Sequence, residues 1–190
     1  MRSVVYSLSI SLDGYIKDGD GRFDWSVPSD ETFLLATDEV RGVDVHLLGR
    51  NLYESMLYWE TAEQEVDLSP NELEFTRIWN ALPKVVFSST LRKVVGNARL
   101  AAGSLTEEIE ALRGEGDGDI AIGGADLAAD AADLGLIDEY RIRIYPVLVG
   151  GGTPYFAHHG QHRDLRLVES RVLDGAIAYL RYRVVRPDEG

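Results

Sequence analysis

His46–Glu54 reads HLLGRNLYE, a short apolar run followed by a glycine turn and the start of a helix. Val43–Leu48 is apolar enough for a buried strand, and Gly49, Arg50 and Asn51 open the next helix. The first turn of a helix presents unpaired backbone amides and the positive end of the helix dipole, and a glycine lets an anion approach them. The Arg50 guanidinium adds a donor fork that suits a phosphate monoester. The segment therefore predicts a phosphate site, with an ordinary turn beside a surface arginine as the alternative.

The same pattern recurs where the sequence IGGAD, residues 122–126, separates a strand from a helix with two glycines. Backbone amides at this turn suit a pyrophosphate, although a tight turn that requires glycine gives the same sequence. The motif is not the G-x-G-x-x-G fingerprint of dinucleotide-binding folds, and no acidic residue is placed for a ribose. A third polar turn, SST at 88–90, follows an apolar strand and suits ribose or phosphate contacts, or again only a turn.

Helix and strand signals alternate along the chain. Ser69 and Ser104 each begin a capping box, S-x-x-E, ahead of a helical stretch, and Asp174-Gly175 is the strongest hairpin signal. A further helix is expected from about residue 30 to 40 and another at Asp126–Leu134. The expected strands are Ser3–Ile10, Val43–Leu48, Lys84–Ser88, Asp119–Ile122, Ile137–Tyr145 (with one face exposed), Leu165–Val172 and Ala176–Val185. This order predicts one α/β domain over residues 1–190, with a mixed sheet of about eight strands that ends in an antiparallel hairpin.

Composition excludes several classes of function. The 190 residues carry a formal net charge of −13, which repels a polyphosphate backbone, so we expect no nucleic-acid partner. The absence of cysteine rules out a thiol nucleophile, disulfides and thiolate zinc sites. No apolar run suits a signal peptide or a membrane span, so we expect a cytoplasmic protein without a membrane partner. His158, His159 and His162 lie close in sequence, but no carboxylate pattern supports them, and we expect no metal site.

Five motifs occur in an order that resembles a known family. They are SLDGY at 11–15, LLGRNLYE at 47–54, VVFSS at 85–89, IAIGGADL at 120–127, and DEY at 138–140 leading to PVLVGGG at 146–152. Together they resemble the RibD C-terminal-like reductases, which are relatives of dihydrofolate reductase, over nearly the whole chain. The resemblance implies a dihydrofolate-reductase-like three-layer α/β/α fold and NADPH as the hydride donor.

The resemblance also implies a set of cofactor contacts. Gly49, Arg50 and Asn51 would hold the 2′-phosphate side of NADPH. Leu52 stands where relatives usually have threonine, so a hydroxyl contact is lost there. The other implied contacts are Ser88 and Ser89 at the adenosine end, Gly123, Gly124, Ala125, Asp126 and Leu127 on the pyrophosphate and nicotinamide side, and Ile10, Leu12, Asp13 and Gly14 beside the nicotinamide on the loop that covers the active site.

Reduction of an imine-like bond also needs a proton donor, and a carboxylic acid with a raised pKa is suitable. Asp13 is the first candidate because the resemblance puts it beside the nicotinamide, although an aspartate before a glycine also forms turns. Asp30 is the second, since its P-x-D pattern is similar to the acid on the first helix of dihydrofolate reductase, although helix starts favour acids. Trp25 and Tyr53 are predicted to stack on a flat heterocycle, with core packing as the alternative.

These features predict an NADPH-dependent reductase of a small nitrogen heterocycle, either a pterin or a pyrimidine-like compound. One alternative is the riboflavin-biosynthesis reductase of 5-amino-6-(5-phosphoribosylamino)uracil. The ribose phosphate of that substrate needs a second basic cluster, for which the sequence offers Arg141, Arg143 and Arg163. The other alternative is a protein that binds NADPH without turnover. We also expect a homodimer, paired through the apolar Pro146–Val149 run and the terminal strands.

Overall fold

The structure, a computed structural model, describes residues 2–156 and 162–186 and is built on one eight-stranded sheet. The strands are β1 Val4–Ser11, β2 Tyr15–Lys17, β3 Val43–Gly49, β4 Lys84–Phe87, β5 Ala98–Leu100, β6 Asp119–Gly123, β7 Glu139–Tyr145, β8 Thr153–Pro154, β9 Leu165–Leu173 and β10 Ile177–Val184. The α-helices are α1 Asp30–Arg41, α2 Arg50–Met56, α3 Tyr58–Glu65, α4 Pro70–Ala81, α5 Leu105–Arg113 and α6 Ala125–Asp133. A 3-10 helix covers Asp24–Ser26.

The main sheet has the strand order β5-β4-β3-β6-β1-β7-β10-β9. The first six of these strands run parallel, while β10 pairs antiparallel with both β7 and β9. A separate antiparallel pair is formed by β2 and β8. The predicted mixed sheet that ends in an antiparallel hairpin is confirmed. Asp174 and Gly175, with φ of 49° and 70°, form the turn of that hairpin.

Strand β3 buries apolar side chains on both of its faces. Leu47 packs with side chains of α5 and α6 on one face of the sheet. Leu48 packs with side chains of α1 and α4 on the other face, and both leucines are fully buried. Successive strand residues point to opposite faces, so helices must cover both sides. The three layers implied by the resemblance are therefore present.

Helix boundaries follow local capping chemistry. Ser69 and Glu72 form a complete capping box at the start of α4, and Ser104 and Glu107 form another at the start of α5, as predicted. Helix α3 was not predicted, because it follows α2 after a single residue and has no side-chain cap of its own. Strands β2, β5 and β8 are two or three residues long, which is too short for the alternation of apolar and polar residues that predicts a strand.

One prediction about β7 is wrong. The alternation of arginine with apolar residues indicated an exposed face, yet Arg141 and Arg143 are 9% and 8% exposed. Arg141 lies 2.6 Å from a carboxylate oxygen of Glu139 and 2.9 Å from one of Asp119. Arg143 lies 2.7 Å from Glu39, which α1 brings over this face of the sheet. Buried arginines are tolerated when they are paired in this way, and periodicity alone does not reveal the partners.

Strand β9 forms one edge of the sheet and leaves apolar side chains in solvent. Leu167 is 50% exposed and Val172 is 68% exposed. An apolar edge strand of this kind suits pairing with another chain. The homodimer through the terminal strands stays a prediction.

Two statements hold for residues 2–156 and 162–186. None of their helices combines the length and the apolar composition that a bilayer crossing requires. Their His, Asp and Glu side chains form no group of three or more that could hold a metal ion. His158 and His159 lie outside the described residues.

His46 links the stability of the fold to pH. Its ring lies edge-on to Trp79 at 5.5 Å between centroids, and Nδ1 is 3.1 Å from the Leu47 carbonyl oxygen. Burial, reinforced by the charge of Lys84, lowers the pKa of His46 from 6.5 to about 4. As pH falls from 6.5 toward 4, the unfolded chain therefore takes up a proton that the folded protein does not accept. The contribution of His46 is complete above this range and is lost within it.

We expect His46→Phe, which keeps the ring contact with Trp79, to remove this part of the pH dependence. The full pKa shift of His46 corresponds to at most about 3 kcal/mol of folding stability. Because the ring is partly exposed, we expect a contribution of roughly 2 kcal/mol. Urea unfolding at about pH 7 and about pH 4 measures it, with the wild type losing roughly 2 kcal/mol more than the variant. His162→Phe is the control, because that side chain is 87% exposed. If acidification lowered the free energy of unfolding equally in the wild type and in His46→Phe, the prediction would be contradicted.

Candidate functional site

A cleft of about 970 Å³ opens at the edge of the sheet where β3, β4 and β6 reach their carboxyl ends. Ligands of open α/β sheets bind at this edge, and the volume lies at the upper end of the roughly 300–1,000 Å³ typical of small-molecule sites. We call one part of the cleft the glycine end, lined by residues 49–51, 88–90 and 124–127. The other part, which we call the arginine end, lies beside β1 and β7 and is lined by residues including Ser9, Trp59 and Arg143.

The two predicted glycine turns meet at the glycine end. Gly49 and Gly124 are the N-cap residues of α2 and α6, and neither helix has a side-chain cap. The φ of Gly124 is +100°, and a Cβ on it would lie 3.3 Å from Cα and N of Gly49. Glycine is therefore required here by both the backbone angle and the close approach. The arrangement sets two groups of uncapped helix amides side by side, which suits phosphate groups.

Arg50 connects α2 to the turn after β4. Its Nε donates to Glu54 at 2.9 Å, and its Nη1 donates to the Thr90 hydroxyl at 3.0 Å. The Ser88 hydroxyl oxygen accepts the amides of Thr90 and Leu91 at 3.2 and 3.1 Å, which fixes the turn. Because the Arg50 side chain is 48% exposed, its charge is available to a ligand, although Glu54 offsets part of it.

The arginine end was not identified from the sequence. Ser9 and Arg143 lie opposite each other on the neighbouring strands β1 and β7. The available signal was the small polar residues at alternate positions of β1, Ser7 and Ser9, which mark a polar sheet face. These serines point to Arg143 only once β1 is known to pair with β7. The residues of the cleft lining outside the glycine end are Leu8, Ser9, Ile16, Lys17, Phe23, Ser26, Leu52, Ser55, Met56, Trp59, Phe87, Asp130, Arg143 and Thr153.

A buried ion pair supports the arginine end. Nη1 of Arg143 lies 2.7 Å from Oε2 of Glu39, and the two side chains are 9% and 11% exposed. The Glu39 carboxylate also accepts hydrogen bonds from the Tyr179 hydroxyl at 2.6 Å and the Ser7 hydroxyl at 2.7 Å. Burial opposes ionisation of Glu39, but Arg143 and the two hydroxyls outweigh it and lower the pKa of Glu39. The carboxylate is ionised at neutral pH, so the pair carries no net charge.

Nine of the residues predicted for cofactor binding line the cleft, and their roles toward a cofactor stay predictions. They are Gly49, Arg50, Asn51, Ser88, Ser89, Gly124, Ala125, Asp126 and Leu127. Gly123 does not line the cleft and lies under Leu52, since a Cβ on Gly123 would be 2.4 Å from Cδ2 of Leu52. Leu52 therefore packs over the second glycine turn.

Three other residues predicted to contact the nicotinamide form no part of the cleft lining. Ile10 is buried in the core, whereas Leu12 is 64% exposed on the loop after β1. Gly14 follows with φ of +90°, and its carbonyl accepts the amide of Tyr155 at 2.9 Å. Gly14 thereby ties the loop after β1 to the residue that follows β8. Their contact with a cofactor stays a prediction.

Asp13 does not have the properties of the expected proton donor. Its exposed carboxylate accepts the amides of Val149 and Gly150 at 3.2 and 2.7 Å, and it does not line the cleft. A hydrogen bond from the Ser11 side chain, followed by those two amides, lowers the pKa of Asp13. The expected shift was in the opposite direction. Asp13 instead fastens the loop at 146–152 to the end of β1.

Asp30, Trp25 and Tyr53 also lie outside the cleft lining. Asp30 is exposed in the first turn of α1, where a negative charge favours the helix dipole. Trp25 packs edge-on against Tyr145 at 6.1 Å between ring centroids. Tyr53 is 5% exposed, and its hydroxyl oxygen accepts the amide of Val95 at 2.8 Å. For both aromatic residues the geometry favours core packing, the alternative to stacking on a ligand.

Comparison with known proteins identifies the family. The chain belongs to the RibD C-terminal domain family, whose profile matches residues 2–179. The uncharacterised protein YyaP of Bacillus subtilis (strain 168) is 28% identical over 182 residues, which cover 95% of this chain and 94% of YyaP. A solved structure from Shewanella sp. PV-4, whose name assigns it provisionally to riboflavin biosynthesis, is 26% identical with a TM-score of 0.76 and coverage of 97% and 99%. Dihydrofolate reductase from Enterococcus faecalis, solved with NADP(H) and RAB-propyl, shares the fold with a TM-score of 0.59, 16% identity and 96% coverage of both chains.

Proposed function

We propose that the protein is an NADPH-dependent reductase that transfers hydride to a small nitrogen heterocycle, a pterin or a pyrimidine-like compound. The observation that carries the proposal is one cleft that joins two uncapped helix starts, at Gly49 and Gly124, to an end with aromatic and polar walls. Helix amides suit the phosphates of a dinucleotide, and flat rings stack on aromatic side chains. Membership of the RibD C-terminal domain family supports the proposal, as does the NADP(H) in the dihydrofolate reductase structure.

The residues at the glycine end fit NADPH. The contact between Gly49 and Gly124 leaves no side chain between the backbone amides and a pyrophosphate. Arg50, already oriented by Glu54 and Thr90, supplies a cation for the 2′-phosphate. When bound, NADPH supplies a hydride from its dihydronicotinamide ring. The chain itself binds and orients the two reactants, with the heterocycle placed at the arginine end.

The proton that completes the reduction needs a source in the cleft. Outside the glycine end, the ionisable side chains of the described cleft lining are Lys17, Asp130 and Arg143. Arginine does not release its proton at neutral pH. The candidate proton sources are therefore Lys17, Asp130 and water that enters the open cleft.

The riboflavin-biosynthesis reductase is the second candidate, supported by the family and by the Shewanella structure. Its substrate carries a ribose phosphate, for which the sequence offered three arginines. They do not converge, because Arg141 is held by Glu139 and Asp119, and Arg163 donates to the Ala132 carbonyl. Of the three, only Arg143 lines the cleft. A ribose phosphate would need another partner.

A substrate panel tests the proposal. The purified protein is titrated with NADPH and NADH, and the loss of NADPH absorbance is followed with dihydrofolate, a dihydropterin and 5-amino-6-(5-phosphoribosylamino)uracil. Oxidation with an unphosphorylated heterocycle is the expected result. Turnover of the phosphorylated uracil alone would select the riboflavin-biosynthesis reaction, and binding without oxidation would identify a binding protein. Failure to bind either nucleotide would overturn the proposal.

Arg50→Ala is expected to weaken NADPH binding about 10- to 100-fold and NADH binding less than about threefold, because a charged donor to a phosphate contributes about 1.5–3 kcal/mol. Isothermal titration calorimetry with both nucleotides measures the difference. Arg41→Ala is a matched control, since Arg41 is 49% exposed, pairs with Glu74 and lies outside the cleft. Equal losses for the two nucleotides would remove Arg50 from the phosphate role.

A further inference from the structure

Arg143 is a buried cation beside the space in which the heterocycle is proposed to bind. It stands within β7, opposite Ser9 of β1, and its side chain is 9% exposed. It nevertheless lines the cleft. The proposed cofactor contacts do not use it, because they follow the ends of β3, β4 and β6. A charged group placed in this way is suited to fixing the orientation of a ligand.

Two of the three guanidinium nitrogens of Arg143 are used within the protein. Nη1 donates to Glu39 at 2.7 Å and to the Ser7 hydroxyl at 3.2 Å, and Nε donates to the Ser9 hydroxyl at 3.3 Å. Among the described residues, Nη2 has neither a hydrogen-bond partner nor an ion-pair partner. It is also not among the unpaired polar atoms that are sealed from solvent. Nη2 is therefore open to the cleft while the other two nitrogens hold it in place.

Glu39 determines which ligand group suits this nitrogen. Its ionised carboxylate lies 2.7 Å from Nη1 and is held there by Tyr179 and Ser7. Because the pair is neutral, its attraction for an anion such as phosphate is largely cancelled. A hydrogen bond from Nη2 to a neutral oxygen depends on the direction of the N–H group and not on the net charge, so Glu39 does not cancel it.

We propose that Arg143 is a specificity-determining residue whose Nη2 donates a hydrogen bond to a carbonyl oxygen of the heterocycle. The favoured ligands are then oxo-substituted rings rather than their amino-substituted or phosphorylated counterparts. Trp59 lines the same end and offers the ring a stacking surface. The assignment rests on the proposed function, which makes the heterocycle the hydride acceptor. Binding of the heterocycle can nevertheless be measured without turnover.

Two pyrimidines that differ in the decisive group test the assignment. 5,6-Diaminouracil carries carbonyl oxygens where 2,4,5,6-tetraaminopyrimidine carries amino groups, and we expect the uracil to bind more tightly in calorimetry. Arg143→Lys keeps a cation beside Glu39 but lacks the second terminal nitrogen. We expect it to weaken diaminouracil binding about 10-fold or more and tetraaminopyrimidine binding less than about twofold. Each titration is made with and without NADPH, so that a failure of nucleotide binding, which concerns the proposed function, is measured separately.

Further variants separate recognition from folding. Arg41→Ala removes a cation outside the cleft and should leave both affinities within about twofold. The double variant Arg143→Met with Glu39→Gln removes both charges without leaving one unpaired, and it should reproduce the loss with a cooperative thermal transition. Displacement of diaminouracil by inorganic phosphate would identify an anion site and overturn the assignment. Unchanged diaminouracil affinity in both Arg143 variants, or no binding to the wild type, would overturn it as well.

Discussion

Gly124→Ala is expected to lower the affinity for NADPH about 100-fold or more, equivalent to roughly 2.7 kcal/mol. A Cβ at this position would lie 3.3 Å from the backbone of Gly49, and the φ of +100° is one that alanine rarely adopts. Relief of that contact moves the start of α6 away from the start of α2. The two groups of amides then no longer face one pyrophosphate together. Calorimetric titration with NADPH measures the loss, and thermal unfolding measures the accompanying destabilisation.

Gly175→Ala is the matched control for this prediction. Gly175 also has a positive φ, +70°, but a Cβ on it would meet nothing within 4 Å. It lies in the hairpin turn between β9 and β10, outside the cleft. We expect a loss of stability of about 1–2 kcal/mol and wild-type affinity for NADPH. If Gly124→Ala binds NADPH as the wild type does, the paired glycine turns are not the phosphate site.

Gly152→Ala is expected to destabilise the protein by about 3 kcal/mol and to weaken binding of the heterocycle about 10-fold or more. A Cβ there would lie 2.1 Å from the carbonyl oxygen of Lys17 and 2.5 Å from the carbonyl carbon of Asp18. These are backbone atoms, so no rotamer change relieves the clash, and β8 must separate from β2. Lys17 and Thr153, which line the arginine end, move with those strands. Urea unfolding and calorimetry with diaminouracil measure the two effects.

The adjacent glycine separates steric clash from backbone strain. Gly151 has φ of +149°, and a Cβ on it would meet nothing within 4 Å. Gly151→Ala should therefore show the strain alone, about 1–2 kcal/mol, with diaminouracil affinity near that of the wild type. NADPH affinity should change less than about threefold in either variant, because the glycine end lies apart from this loop. Equal effects of the two substitutions on diaminouracil would show that the pairing of β2 with β8 does not shape the cleft.

The glycine end was predictable because its signals are local. A strand, a glycine and a helix start within a few residues indicate open amides at Gly49 and again at Gly124. Capping at Ser69 and Ser104 and the hairpin at Asp174 are local for the same reason, and the structure contains all three. The meeting of the two glycine turns was not predictable in this way. It depends on β3 and β6 being neighbours in the sheet.

The arginine end depends on contacts between distant segments. Arg143 is 104 residues from Glu39 and 134 residues from Ser9 along the chain. When arginine alternates with apolar residues, the pattern predicts an exposed strand face. The sequence does not show that α1 covers this face and supplies the Glu39 carboxylate. The lowered pKa of Asp13 has a local cause, the Ser11 side chain, and a distant one, the amides of Val149 and Gly150 in a loop more than 130 residues away, which the sequence did not reveal. Aromatic chemistry does not distinguish a ligand from a core, so the sequence left both stacking and core packing open for Trp25.

The contact between Gly49 and Gly124 also constrains how the sheet is assembled. It exists because Leu48 of β3 pairs with Gly123 of β6, which brings both strand ends to the same level. A slip of one residue between these strands would shift the turns by about 3.3 Å and turn the side chains of one strand to the opposite face. A chain with that error would lack the paired turns. Nucleotide would then bind only to correctly aligned molecules and, by mass action, draw the population toward them.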